Sequence, residues 1–167
     1  MSGKDILRSK GLHGEIVEKI LPQFANELKK DGIISSYDRK TFKMPISEDV
    51  DTHYLPPLKI KPDCVLHLPD QRKVLVEIAN PKDPKRFVGE LIYAQLLGYH
   101  KEIAAVVVFV LRFPKDDKRP MRCIELRMAL YDICEKQTHT HIITWNDSNR
   151  EENYHNLKCF LTSIIHV

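Results

Sequence analysis

Apolar residues recur along the chain with helical spacing in some segments and in short continuous runs in others. The first predicted helix, residues 9–30, has an apolar side formed by Leu12, Ile16, Ile20, Phe24 and Leu28. Pro22 lies within it and is expected to kink or split it, because proline has no N–H to donate. The other predicted helices are residues 85–102, 120–137 and 150–165.

Runs of strand-forming residues lie between these helices and are bounded by turn residues. A first strand is predicted in the ten or so residues after the Asp31-Gly32 turn, followed by an exposed loop over residues 46–58. The other predicted strands are about 59–68, 72–79, 103–111 and 139–145. The continuous apolar run of residues 103–111 is typical of a strand covered on both faces. The order of elements predicts a single α/β domain over residues 1–167.

Composition narrows the class of protein. At 167 residues and 43% hydrophobic content, the chain is expected to be one soluble globular domain with a real core. The formal charge of +3 is compatible with a phosphate-rich partner. The cysteines lack metal-ligand spacing, and the longest apolar run is too short to span a bilayer. No signal peptide is recognised at the start, so an intracellular, cytoplasmic protein without membrane contact is expected.

Two carboxylates interrupt the apolar pattern of neighbouring predicted strands. Asp63 lies early in one strand, Glu77 lies late in the next, and residues 68–72 form the turn between them. If the strands pair as a hairpin, the two acids face each other at one edge of the sheet and can share a cation. Mg²⁺ (or Mn²⁺) suits such oxygen ligands. The alternative is two ordinary exposed acids paired with Lys61 or Lys73.

Short motifs around this pair carry a family resemblance. They are Gly11-x-x-x-Glu15, with a second register ending at Glu18; Pro62-Asp63; Glu77-Ile78-Ala79 after thirteen intervening residues; and Gln95-x-x-x-Tyr99. In this order the chain resembles the PD-(D/E)XK nuclease superfamily, in particular its RecB-type exonuclease-like members, over roughly residues 9–112. The resemblance implies a restriction-endonuclease-like core with a C-terminal helix–strand–helix extension, and Mg²⁺-dependent hydrolysis of DNA.

The resemblance also implies metal ligands. Asp63, Glu77 and the backbone carbonyl of Ile78 would bind the ion, and Glu15 or Glu18 would support the site. His13 is similar to a histidine that binds metal in some RecB-like nucleases; a surface histidine is the alternative.

Further residues of the resemblance lie on the predicted helix 85–102. Gln95 would contact metal-bound water or DNA, and Tyr99 would border the active site. The alternative is a helix side that half faces solvent. The start of this helix carries three cations that could contact phosphates flanking the cleaved bond: Lys82, Lys85 and Arg86.

The chain departs from the family pattern at Ala79, where the family has a lysine two residues after the glutamate. Either another lysine reaches the site, with Lys82 the nearest in sequence and Lys85 and Lys61 as further candidates, or the fold is kept and catalysis is lost. The sequence thus leaves two functions open. One is a metal-dependent nuclease acting on DNA, which is expected to form a homodimer. The other is a catalytically inactive module that binds nucleic acid or serves in assembly.

Overall fold

A computed structural model describes eight segments of the chain. These are residues 11–40, 42–44, 58–82, 84–97, 102–112, 118–119, 121–126 and 140–165. The predicted loop 46–58 lies outside the described residues except for Leu58, and so does most of the predicted helix 120–137, of which 121–126 are helical.

The protein is a mixed α/β structure built on a five-stranded sheet. The described segments contain seven strands: β1 (Ser36–Asp38), β2 (Phe42–Met44), β3 (Leu58–Ile60), β4 (Cys64–His67), β5 (Lys73–Ala79), β6 (Ile103–Val110) and β7 (Thr140–Thr144). The main sheet has the order β1-β4-β5-β6-β7, whereas β2 and β3 pair separately. Strands β1, β4 and β5 are antiparallel neighbours, and β5, β6 and β7 run parallel.

Within the described segments, three long helices accompany the sheet, in addition to the helical residues 121–126. Helix α1 comprises helical residues 11–15, a π-helical segment Ile16–Ile20 and an α-helical segment Leu21–Lys30. Helices α2 and α3 are Pro84–Leu97 and Arg150–Ile165. None of the described helices combines the length and apolar character needed to cross a bilayer.

The predicted split of the first helix takes the form of the π-helical segment. The N–H of Leu21 donates to the carbonyl of Ile16, and Pro22 follows within the first turn of the α-helical segment. Proline cannot donate to the carbonyl four residues earlier and its ring crowds that carbonyl, so a wider turn ahead of it accommodates the ring.

Two predicted strands are each divided in the structure. The strand predicted at 59–68 is wrong as one element: β3 ends at Ile60 and β4 begins at Cys64. Pro62, between them, offers no N–H to a ladder. The first predicted strand is divided between β1 and β2, where the N–H of Lys40 donates to Asp38 Oδ1 at 2.8 Å and forms a local turn.

Alternation along β5 directs side chains into two apolar layers. Val74, Val76 and Ile78 belong to the layer that contains α1 and α3. Leu75 and Ala79 belong to the layer that contains α2. Because side chains alternate along a strand, Glu77 lies on the α2 side of the sheet. The predicted burial of β6 on both faces is confirmed, since every residue of this strand is buried.

Candidate active site

Asp63 directly precedes β4, and Glu77 lies near the end of β5, so the two acids lie at the same end of this strand pair. The last paired residues are Cys64 and Val76, so one further step of the antiparallel register sets Asp63 opposite Glu77. Residues directly opposite each other in an antiparallel pair have their side chains on the same face. The N–H of Ile78 donates to Asp63 Oδ2 at 2.9 Å, which fixes the Asp63 carboxylate against β5.

The environment of Glu77 favours its neutral form. Burial, followed by the charges of Asp63 and Glu90, raises the pKa of Glu77 from 4.5 to about 8. The backbone N–H of Asp63 and the charge of Arg86 act in the opposite direction without cancelling the shift. A carboxyl group beside two other acids behaves in this way because like charges disfavour ionisation.

His13 of α1 reaches Asp63. Its Nε2 lies 3.3 Å from Asp63 Oδ2, and the Asp63 side chain is only 19% exposed. The hydrogen bond to Asp63 raises the pKa of His13, against the opposing effect of burial. His13 lies just before the π-helical segment, and such segments occur frequently at functional sites. His13 is therefore not simply a surface histidine, because it contacts Asp63.

Helix α2 adds two residues that sequence reasoning did not include in the metal site. Arg86 Nε donates to Glu90 Oε1 at 2.7 Å, one helical turn apart. Burial is the main cause that raises the pKa of Glu90, and the charge of Asp63 acts in the same direction. Glu90 lies next to the buried stripe of Phe87, Leu91 and Ala94. An acid at that edge of an apolar helix side is the sequence signal that could have identified it.

The two glutamates of the GxxxE registers contact arginines. Arg150 Nη2 donates to Glu15 Oε1 at 2.7 Å, and Arg39 Nη1 donates to Glu18 Oε1 at 2.6 Å. The structure thus brings His13, rather than Glu15 or Glu18, to Asp63. A role for Glu15 as a metal ligand would require it to leave Arg150.

Two lysines around the site, Lys73 and Lys82, have other described contacts. The ammonium of Lys73, the alternative partner of the acids, pairs with Glu102 at 2.6 Å. The backbone N–H of Lys82 donates to Asn80 Oδ1 at 3.1 Å, and Lys85 is exposed. Within the described segments, no lysine forms an ion pair with Asp63 or Glu77. The cation that acts on Glu77 is Arg86.

Position 79, where the PD-(D/E)XK pattern has a lysine, is apolar in this chain. Ala79 has no exposed surface and belongs to the same layer as Leu75, Phe87 and Leu91. Of the remaining predicted site residues, Gln95 lies in the last turn of α2. Tyr99 is outside the described residues.

The side chains of this cluster are of a chemical type that binds divalent cations. Asp63, Glu77 and Glu90 supply carboxylate oxygens, which Mg²⁺ prefers, and Glu90 Oε2 is buried without a hydrogen-bond partner. As the side chains stand, no group of three or more His, Cys, Asp or Glu among the described residues is placed to hold a metal ion. Coordination would therefore require the side chains to rearrange, including loss of the His13–Asp63 contact.

No protein-family model, curated protein or solved structure matches this chain significantly.

Proposed function

We propose that the protein is a metal-dependent nuclease that hydrolyses DNA phosphodiester bonds, with Asp63 and Glu77 as ligands of Mg²⁺ (or Mn²⁺). The observation that carries this proposal is the position of two acids opposite each other at the end of the β4–β5 ladder. Burial and the neighbouring acids raise the pKa of Glu77 to about 8. Strongly perturbed acids in such a setting are candidates for functional sites, because stability alone gains nothing from their repulsion.

The arrangement of elements supports a restriction-endonuclease-like core. Helix α1 precedes the antiparallel strands β1, β4 and β5, and α2 connects β5 to its parallel neighbour β6. In this arrangement Asp63 and Glu77 occupy the edge of the sheet between α1 and α2. Residues from both helices, His13 and Glu90, join them there.

The chemistry divides between the ion and the chain. When bound, a divalent cation supplies a more acidic water and neutralises charge on the phosphodiester. Asp63, fixed by the N–H of Ile78, presents a carboxylate of constant orientation. Glu77 must release its proton to bind the cation, and the positive charges of His13 and Arg86 close to the acids limit the accumulated negative charge.

A cation for the phosphate comes from the start of α2 in this proposal. Ala79 is enclosed by apolar side chains, whereas Arg86 is 70% exposed and its charge reaches Glu77. A guanidinium matches the geometry of phosphate oxygens but cannot accept a proton. Arg86 would therefore bind the phosphate, and Lys82 and Lys85 would contact the flanking backbone.

The apolar setting of Ala79 favours a second candidate function. A catalytic lysine two residues after Glu77 is absent, and its place is taken by core packing. A nuclease fold that has lost cleavage, and that binds nucleic acid or serves in assembly, would have this feature.

A cleavage assay separates the two functions. The full chain is incubated with single-stranded, double-stranded and branched DNA in Mg²⁺ or Mn²⁺, beside Asp63→Asn, Glu77→Gln and the distant exposed variant Glu27→Gln. The nuclease proposal requires cleavage by the wild type and Glu27→Gln, and at least a 100-fold loss in both site variants. DNA binding without cleavage by any of the four proteins would establish the second function instead.

A further inference from the structure

Among the described strands, β7 lies at one edge of the main sheet and pairs with β6 alone. The N–H of Trp145, directly after β7, donates to the carbonyl of Val110 at 2.8 Å. Because the backbone groups of successive residues alternate in direction along a strand, those of Ile142 and Thr144 point away from β6. Within the described segments, these groups have no partner strand.

The two edges of the sheet differ in their protection against further pairing. Natural edge strands are blunted by charged residues, prolines or bulges, because an unprotected edge is a template for another strand. Strand β1, at the opposite edge, ends in Asp38, which accepts a hydrogen bond from the N–H of Lys40 in a local turn. Strand β7 reads Thr-His-Ile-Ile-Thr, has no proline or acid, and keeps a continuous register with β6. Burial lowers the pKa of His141, which keeps this strand uncharged at neutral pH.

A groove of about 580 Å³ runs between β7 and α3. The rings of His141 and Phe160 stack 4.2 Å apart and connect the strand to the helix. The residues of α3 that line the groove recur every three or four positions and therefore share one side of the helix: Glu152, Asn156, Cys159, Phe160 and Ser163. The groove leaves the outer side of β7 accessible.

This surface is complementary to a second copy of itself. A copy of β7 in the antiparallel direction reads Thr-Ile-Ile-His-Thr, so uncharged and mostly β-branched residues meet across the pair. On α3, Glu152 lies near the start of the helix and Ser163 near its end. Two-fold symmetry brings Glu152 of each copy towards Ser163 of the other and keeps the two acids apart. An interface in which one patch meets itself has this requirement.

We propose that β7 is a dimerisation edge, on which a second copy of this chain pairs in the antiparallel direction through the backbone of Ile142 and Thr144. The two sheets become one continuous sheet, and the α3 helices lie beside each other on one face of it. The two-fold axis is perpendicular to the joined sheet, so both copies keep α2 and Glu77 on the other face. The inference goes beyond the proposed function and does not depend on nuclease chemistry.

The test is sedimentation velocity of the full chain over a wide range of protein concentrations, without DNA or metal. Thr144→Pro removes an N–H that points away from β6, and proline is tolerated at such exposed positions of edge strands. Thr144→Ala is the matched control, because it also loses the threonine side chain but keeps the N–H. We expect wild type and Thr144→Ala to dimerise with dissociation constants within 3-fold of each other. Thr144→Pro should dimerise at least 10-fold more weakly.

A second pair of variants tests the helix side of the groove. Asn156 lies midway along the lining side of α3, so Asn156→Glu adds one acid near the symmetry axis in each copy and should also weaken the dimer at least 10-fold. Thr162→Glu is its control, because Thr162 is an exposed residue of the same helix outside the groove lining. Thermal melts show whether each variant is folded, and if Thr144→Pro is not, the comparison of Asn156→Glu with Thr162→Glu decides.

Two results overturn the proposal. Wild type that stays monomeric at every concentration excludes a second copy as the occupant and leaves the edge to a strand of another protein. A dimer that is not weakened by a folded Thr144→Pro, or by Asn156→Glu where the proline variant is unfolded, has its interface elsewhere on the molecule.

Discussion

The surroundings of Glu77 determine its pKa. Apart from Lys73, the other residues of its strand are apolar; Glu77 lies opposite Asp63, and the charge of Glu90 acts on it. Each of these neighbours makes ionisation of Glu77 more costly, and burial adds to the effect. The strand pattern predicts that Asp63 lies opposite Glu77, but it predicts neither the burial of Glu77 nor the effect of Glu90, which is distant in sequence.

The pKa of Glu77 predicts how stability depends on pH. The folded value of about 8 exceeds the unfolded value of 4.5, so the folded state holds the proton more tightly. The stabilising effect of this tighter proton binding is complete below pH 4.5 and is lost progressively as the pH rises to 8. Since one pKa unit corresponds to about 1.4 kcal/mol, the full effect on the free energy of unfolding is roughly 5 kcal/mol.

Urea unfolding of wild type and Glu77→Gln across this pH range measures the effect. We expect the stability advantage of Glu77→Gln over wild type to grow steadily from pH 5 to pH 8, because glutamine has no proton to lose. His13, whose pKa is also raised, lowers the stability of both proteins as the pH rises and cancels in the difference. Parallel profiles for the two proteins would mean that Glu77 ionises normally in the folded state.

At the scale of elements, the apolar pattern predicts those strands and helices that bury a continuous surface. Strands β5, β6 and β7 and helix α3 agree with the predicted segments within one residue at each end. The failures occur where local chemistry overrides the pattern. Pro62 separates β3 from β4, and the turn after Asp38 separates β1 from β2. Apolar periodicity does not report these interruptions because strand-forming residues continue on both sides of them.

The packing between β5 and α2 predicts the outcome of placing a lysine at position 79. Ala79 is fully buried in the layer that contains Phe87 and Leu91. Ala79→Lys inserts a four-carbon stem there, and overpacking of this kind costs about 1–3 kcal/mol. We expect a loss of stability of that size in urea unfolding, and a similar loss in Ala79→Met, which adds comparable length without charge.

Cleavage by Ala79→Lys is measured together with its stability. Unchanged stability in both variants would show that the position has room for a lysine and is no barrier to restored chemistry. Cleavage that appears only in Ala79→Lys would identify the protein as a nuclease fold that has lost its catalytic lysine. Cleavage by the wild type that Ala79→Lys reduces would support a catalytic site that uses Arg86 instead.

At the scale of the whole molecule, the site is an assembly of distant segments. His13, Asp63, Glu77 and Glu90 come from α1, the start of β4, β5 and α2. The sequence indicates Asp63 and Glu77 because both interrupt apolar strands, and the family motifs add Glu15. Only the packed structure shows that Arg150 engages Glu15, that His13 reaches Asp63 and that the charge of Glu90 acts on Glu77. Such choices depend on helix rotation about its axis, which short motifs do not determine.

If the protein binds DNA as proposed, its charge distribution predicts how that binding depends on salt. The formal charge is only +3, so binding must rely on a local concentration of cations such as Lys82, Lys85 and Arg86 at the start of α2. Each phosphate contact that is lost lowers the slope of log K against log salt concentration by about 0.9 for duplex DNA. We expect Arg86→Ala and Lys85→Ala each to reduce the slope by about 1.

Fluorescence anisotropy with a labelled duplex, between about 50 and 200 mM salt, gives these slopes. The measurement uses the Glu77→Gln background so that cleavage does not interfere, and Lys29→Ala is the matched control. Lys29 is an exposed cation at the far end of α1, so its removal should leave the slope unchanged. Equal effects of Lys29 and Arg86 would indicate attraction by overall charge without a binding surface at α2. Absence of binding at the lowest salt concentration would remove DNA as the partner and with it both candidate functions that involve nucleic acid.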